Sequence, residues 1–187
     1  MDLQQIQSIL KQYNIAPTKK RGQNFLVETS YLDDMIEAGA VTKKDTVLEV
    51  GPGLGVLTQK LAEQASRVIT IELDKNIIKY LHEDFLSGYP NVELIEGDAL
   101  SSGVFHQLVK RLYANRQPDA VIDPKDDTYK EVLDELDGEY KLIANLPYQV
   151  TSKLMRQSLE AKPRPSQLVV MVQKEVAKRI VAKPGSM

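Results

Sequence analysis

The stretch that most constrains the fold is Asp45-Thr46-Val47-Leu48-Glu49-Val50-Gly51-Pro52-Gly53-Leu54-Gly55. A largely apolar run stops at glycines on alternate positions, and a helical pattern through Val56, Leu57, Leu61 and Ala62 begins at once. Glycine takes the positive-φ backbone of a tight turn without steric cost, and its missing side chain lets a ligand approach the main chain. A strand entering such a turn and leaving as a helix is the opening of a β-α-β unit. A second strand, Arg67-Val68-Ile69-Thr70-Ile71, ends in Glu72 about 20 residues after Gly51, the offset at which an acid meets ribose hydroxyls in nucleoside sites of this kind. A tight turn followed by a surface Glu is the plainer alternative.

The nucleoside can be narrowed. A dinucleotide fingerprint asks for a third small residue at Gly-x-Gly-x-x-Gly. That position is Val56 counted from Gly51 and Gly53, and Thr58 counted from Gly53 and Gly55; neither suits. Glu49 and Glu72 also leave no basic group beside the glycines for a pyrophosphate. A cationic sulfonium is better accommodated there than a dianion, so the pattern favours S-adenosylmethionine over NAD.

The rest of the chain alternates in the same way. Residues 2–13 carry Leu3, Ile6, Ile9 and Leu10 at helical spacing, and a basic, turn-rich segment from Pro17 to Leu26 follows. It reads either as a solvated loop anchored by Phe25 or as a phosphate-contacting run leading to a cover for a ligand. A helix is expected from Ser30 to Gly39 with Tyr31, Met35 and Ile36 inward, and another from Lys75 to Leu86 with Ile77, Ile78, Leu81 and Phe85 inward. A third strand, Val92 to Glu96, stops at Gly97-Asp98, where an acid at a strand's carboxyl end lies in the ligand crevice of an open sheet and suits an adenine amine. A helix from Ser101 buries Val104, Phe105, Leu108, Val109 and Leu112. Residues 114–139, with Pro118, Pro124 and many Asp, are expected to form an acidic surface insertion with a short helix from Tyr129 to Leu136. A fourth strand ends near Ile143, a helix spans Thr151 to Leu159, a fifth strand runs from Gln167 to Val172, and a basic helix extends from Lys174 to Lys183. Five strands, each leading into a helix, imply a Rossmann-like, three-layer α/β/α fold with a mostly parallel sheet. No sixth strand is legible, so the chain is expected to stop inside its own fold.

Between the fourth strand and its helix stand Asn145-Leu146-Pro147-Tyr148. They supply a side-chain amide, a backbone carbonyl, a rigid bend and a flat ring, a set suited to a planar amine. The amide oxygen and the carbonyl accept from an exocyclic NH2 while the ring stacks on its base. An ordinary strand-to-helix turn with a half-buried Tyr is the alternative. Cysteine is absent, which excludes disulfides and a thiol nucleophile, and with only His82 and His106 no metal site is expected. No apolar run reaches membrane-span length, so a cytoplasmic protein with no membrane partner is expected. The net charge of −2 does not by itself mark a nucleic-acid binder, but the charge is unevenly spread.

Gln23-Asn24-Phe25-Leu26, Glu49 to Gly55, Ile71-Glu72-Leu73-Asp74, Gly97-Asp98-Ala99-Leu100 and Asn145 to Tyr148, in this order, resemble the ribosomal RNA adenine N6,N6-dimethyltransferase family, and most closely its small-subunit dimethyltransferase A group. The resemblance runs from about Lys19 to the last residue. It implies a class I methyltransferase fold and dimethylation of adenine amines in small-subunit (16S) ribosomal RNA during ribosome biogenesis. S-adenosylmethionine would be the donor and S-adenosylhomocysteine the product. It implies that Asn24 and Leu26 close over the cofactor, that Gly51 and Gly53 pass beneath its methionine part, and that Glu72 holds the ribose and Asp98 the adenine. Asn145 borders the cofactor and, with the Leu146 carbonyl, receives the target amine; Pro147 shapes the turn and Tyr148 stacks on the target base. The expected partner is small-subunit ribosomal RNA or an assembly intermediate, met by a monomer.

Two departures from the family pattern follow. The insertion between Leu100 and Tyr140 is longer than usual, and the family ordinarily continues into further strands and a helical RNA-binding domain. Residues 1–187 are therefore expected to be a single catalytic domain, opened by a helix and basic segment over 1–23, without that second domain. Lys19, Lys20, Arg21, Lys174, Lys178 and Arg179 are candidates for phosphate contact. The rival readings are a ribosome-assembly or transcription factor that keeps the fold for binding, an amine methyltransferase acting on large-subunit rRNA, DNA or protein glutamine, and an NAD-dependent oxidoreductase. Val56 disfavours the last, and Leu146, where DNA and glutamine enzymes tend to carry a second Pro, leans towards RNA.

Overall fold

The computed structural model describes residues 1–16, 30–146 and 148–183, with the backbone alone at 148 and 149. Helix α1 (Leu3–Gln12) starts at a capping box, in which Asp2 Oδ1 accepts from the Gln5 N–H at 2.8 Å and Gln5 Oε1 from the Asp2 N–H at 2.9 Å. Then come α2 (Ser30–Ala38), β1 (Thr46–Val50), α3 (Val56–Gln64), β2 (Arg67–Glu72) and α4 (Lys75–Tyr80). They are followed by β3 (Val92–Glu96), α5 (Ser102–Ala114), α6 (Tyr129–Glu135), β4 (Lys141–Asn145), α7 (Tyr148–Glu160), β5 (Gln167–Met171) and α8 (Lys174–Ile180).

The five strands pair in parallel in the order β3-β2-β1-β4-β5. The chain moves outward from β1 to β3, then returns to β1's other side for β4, so the switch point lies between β1 and β4. Alternation along the strands sorts the core into layers. Leu48, Val50, Ile69, Ile71, Ile95, Leu142 and Ala144 face α5, α6 and α7. Val47, Val68, Val92 and Ile143 face α2 and α3. A third cluster joins α1 through Ile6 and Tyr13 to α4, Phe85 and Leu54. The three-layer, parallel architecture is the one the strand–helix alternation implies.

Three local expectations need correction. Tyr31 is 51% exposed, while Leu32 is buried beside Met35, because the residue that completes the helix stripe facing α3 is one position later. The helix expected over 75–86 is α-helical only to Tyr80 and continues as a π turn, Leu81–Phe85, and a 3-10 turn, Leu86–Gly88, while Ile77, Ile78, Leu81 and Phe85 all face inward. The acidic insertion is not a purely solvated excursion. Ile122 and Leu136 are buried in the core beside Tyr140, with Tyr129, Val132 and Leu133 packed against them. Arg164 pairs with Asp137 at 2.6 Å, and its carbonyl accepts from the Gly138 N–H at 2.8 Å, tying the insertion's end to the α7–β5 loop.

Leu136, 1% exposed, makes this packing testable. Leu136→Ala should cost about 2–5 kcal/mol and lower Tm by about 10 °C, while Val121→Ser at a 95% exposed position should leave Tm within a degree or two. Thermal unfolding followed by circular dichroism checks this, and an unchanged Leu136→Ala midpoint would restore the solvated reading.

Candidate functional site

Because every strand runs the same way, the carboxyl ends of β1 to β4 share one edge, and the residues singled out above stand along it. Gly51 follows β1 with φ +73°, and its N–H bonds to the Ile71 carbonyl at 2.9 Å, which keeps the turn level with the end of β2. Among the described residues, nothing lies within 4 Å of where a Gly51 Cβ would be, so its outer face is open at the sheet's carboxyl edge. Gly53 (φ +55°) and Gly55 (φ +81°) complete a turn that only glycine makes cheaply, and Gly55 caps α3. The Gly97 N–H continues the ladder onto the Glu72 carbonyl at 2.7 Å and delivers Asp98 just beyond Glu72.

Glu72 is 7% exposed. Its Oε1 accepts the N–H groups of Leu73 and Asp74, both at 2.8 Å, fixing the carboxylate at the strand end. Burial raises its pKa, against the lowering effect of the Asp74, Leu73 and Gly53 N–H groups. Asp98 is exposed and holds the Leu100 N–H through Oδ1 at 2.9 Å, which leaves Oδ2 facing out. Between them Leu73 is 62% exposed, an apolar surface at the rim of a polar crevice. Asn145 ends β4 across the switch point from Gly51, opposite Met171 of β5.

Beneath this edge Glu49 is 1% exposed and accepts from Thr58 Oγ1 at 2.6 Å. Burial pushes its pKa up to about 8, with the charge of Glu72 adding to the shift. Thr70 stands opposite Glu49 in the β1–β2 register, and its Oγ1 is buried without a hydrogen-bond partner among the described residues. Glu49 is thus largely protonated at neutral pH and adds little negative charge beneath the glycine turn.

The chain matches the model of the ribosomal RNA adenine dimethylase family over residues 7–187. It belongs to that family. A ribosomal RNA small subunit methyltransferase A of Dehalococcoides mccartyi (strain CBDB1) is 42% identical over 183 residues, 98% of this chain and 54% of the relative. One from Lachnoclostridium phytofermentans is 37% identical over 185 residues, 99% of this chain and 56% of the relative. The crystal structure of a Plasmodium falciparum dimethyladenosine transferase aligns with a TM-score of 0.57 at 31% identity, covering 83% of this chain and 46% of that one. The 23S rRNA methyltransferase ErmE aligns with a TM-score of 0.57 at 27% identity, covering 83% and 50%. The chain spans about half the length of the curated relatives it matches.

In this adenine dimethylase family chain, Gly51, Gly53, Glu72, Asp98, Asn145 and Leu146 come together at one edge, from stretches far apart in sequence. Asn24, Leu26 and Pro147 lie outside the described residues, as do Lys19, Lys20, Arg21 and the Tyr148 side chain. The helix after Asn145 starts at Tyr148, earlier than the Thr151 expected, so Tyr148 sits in the first turn of α7. Lys174 and Lys178 are exposed four residues apart on one side of α8. Sequence reasoning missed Leu73 and the Glu49–Thr58–Thr70 group. For Leu73, the signal was an apolar residue between a strand-end acid and the Asp74 helix cap. Among the described residues, no cluster of His, Cys, Asp or Glu could hold a metal ion, and no helix is long and apolar enough to cross a membrane.

The Glu49 proton has a signed consequence for stability. An unfolded Glu releases its proton near 4.5 and the folded one near 8. Its contribution is full below about pH 4.5 and falls by about 1.4 kcal/mol per pH unit as pH rises towards 8, then levels off. Glu49→Gln removes this slope, so the variant should gain on the wild type between pH 5 and 8. Urea denaturation across that range measures it, and parallel pH profiles for the two proteins would refute a neutral buried Glu49.

Proposed function

We propose that this chain carries the S-adenosylmethionine site and target-amine site of an enzyme that dimethylates adenine amines in small-subunit ribosomal RNA. The observation that carries the reading is the open face of Gly51 beside a fixed Glu72 carboxylate, across the switch point from Asn145. Family membership and relatives named for the small subunit at about 40% identity support it further. The lower identity to ErmE favours the small-subunit over the large-subunit substrate.

Bound there, S-adenosylmethionine would supply an electrophilic methyl group on a sulfonium cation. Gly51 and Gly53 let its methionine part pass close to the backbone, and Glu72 accepts from the ribose hydroxyls. Leu73 lies against the adenine face while Asp98 takes its amine hydrogen. Asn24 and Leu26 close over the ligand. Asn145 Oδ1 and the Leu146 carbonyl accept the two hydrogens of the target amine, which favours a tetrahedral nitrogen with its lone pair localised and aimed at the methyl carbon. Pro147 fixes the bend, and Tyr148 stacks on the target base. As the N–C bond forms and the C–S bond breaks, the nitrogen becomes cationic and its proton passes to water, so no strong general base is required. Positioning and electrostatics supply the acceleration. Residues 1–187 then form one catalytic domain, with Lys174 and Lys178 near RNA phosphates. We assign the protein to the cytoplasm, as a monomer acting on a small-subunit assembly intermediate.

Calorimetric titration of the chain should give micromolar binding of S-adenosylhomocysteine and none of NAD. NAD binding alone would overturn the assignment. In the full-length protein, Asn145→Ala should abolish labelled methyl transfer to under-methylated small subunits while keeping most of the S-adenosylhomocysteine affinity. Equal loss of both would contradict the division of roles between Asn145 and the glycine turn.

A further inference from the structure

Tyr80, the last residue of α4, and Phe85, the last of the π turn that follows it, both pack against the glycine turn. Single π turns inside helices recur at functional sites. Tyr80, 4% exposed, donates its hydroxyl to the Leu54 carbonyl at 3.4 Å. Phe85, 7% exposed, occupies the space where a Cβ on Gly55 would fall, so the ring and the glycine are matched surfaces. The two rings lie 6.4 Å apart, and Phe85 stacks on Tyr89 at 4.7 Å. Tyr13, at the end of α1, meets Tyr80 edge-on at 5.4 Å, and the Asn76 side chain donates to the Asn14 carbonyl at 2.9 Å. Leu54 itself is 2% exposed in the same cluster. The turn between Gly53 and Gly55 is thus held from behind by side chains that face away from the crevice.

We propose that Tyr80 and Phe85 are positioning residues for the glycine turn, and that through Leu54 and Gly55 they set the affinity of the crevice for an adenosyl ligand. The proposal rests on the reading that this turn carries S-adenosylmethionine. Left-handed glycines on three alternate positions have other turn conformations available to them. A hydroxyl on one carbonyl and a ring against one glycine select the conformation in which the Gly51 face stays open. Tyr13 extends the brace to α1.

The test pairs hydrogen–deuterium exchange with calorimetry. Tyr80→Phe keeps the ring and deletes the hydroxyl. It should speed amide exchange across 51–56 and weaken S-adenosylhomocysteine binding about five-fold, the size of one neutral hydrogen bond, with Tm lowered no more than by Tyr140→Phe. Phe85→Leu should do the same more strongly. Tyr140→Phe deletes an equally buried hydroxyl, bonded to the Pro163 carbonyl at 3.0 Å on the other face of the sheet. It should lower Tm and leave exchange at 51–56 unchanged. Unchanged exchange at 51–56 in both Tyr80→Phe and Phe85→Leu overturns the proposal. Faster exchange with wild-type affinity overturns the link to the ligand, and a folded wild type that binds no S-adenosylhomocysteine overturns the reading beneath it.

Discussion

The chain must turn through three left-handed glycines the moment it leaves the central strand of its sheet. An L-residue forced into that conformation costs about 1–2 kcal/mol, so the stretch from Gly51 to Gly55 admits few substitutions. Much else depends on it. Gly55 starts α3, whose Leu57, Leu61 and Ala62 close one layer of the core and whose Thr58 reaches back to Glu49. The Gly51 N–H ties the turn to β2, and the Gly97 N–H ties β3 to β2 at the same level, so three strand ends stay aligned. An aligned edge is what lets residues some hundred positions apart in sequence act on one ligand.

Electrostatics at that edge is graded by depth. Glu49 lies under the turn and is neutral near pH 7, Glu72 is buried but fixed by two N–H groups, and Asp98 is exposed. A charge as deep as Glu49 would be expensive to bury, and its neutralisation removes most of that cost. A carboxylate at Glu72 is affordable because backbone donors solvate it in place of water. The grading leaves negative charge where a cationic ligand would meet it and removes it where the ligand could not reach.

The strand–helix alternation, and the acids it places at the carboxyl edge of the sheet, were legible in the sequence because they depend on period and on spacing along single elements. The apolar strands, Gly51 to Gly55 and Glu72 needed no tertiary knowledge. What was not legible depends on the third dimension. Tyr31 and Leu32 are both apolar neighbours on α2, and only the position of α3 decides which one faces in. The π turn at Leu81–Phe85 leaves the inward set of a regular helix almost unchanged, so periodicity does not reveal it. The insertion looked solvated because nine acids and two prolines break up its apolar residues, yet Ile122 and Leu136 suffice to dock it. Glu49 looked like a charge because burial of one strand on both faces cannot be read from that strand alone.

Where the insertion docks gives its acidity a physical sense. Helix α5 leaves the ligand edge after Asp98 and runs back across the sheet, and β4 starts again from the other edge at Lys141. The residues between them therefore gather away from the crevice. Within 114–139 nine acids stand against three bases, Arg116, Lys125 and Lys130, so the remainder of the chain carries a positive balance although the whole is at −2. Several of those acids are consumed locally: Asp134 and Asp137 by Lys162 and Arg164, and Glu135 and Glu139 by Arg116. Others, such as Asp127 and Glu131, face solvent. A polyanion approaching such a molecule is repelled by one edge and tolerated by the other, which bears Lys174 and Lys178. A near-neutral net charge then conceals a directional field, so a polyanion could be met at that edge without an overall basic protein behind it.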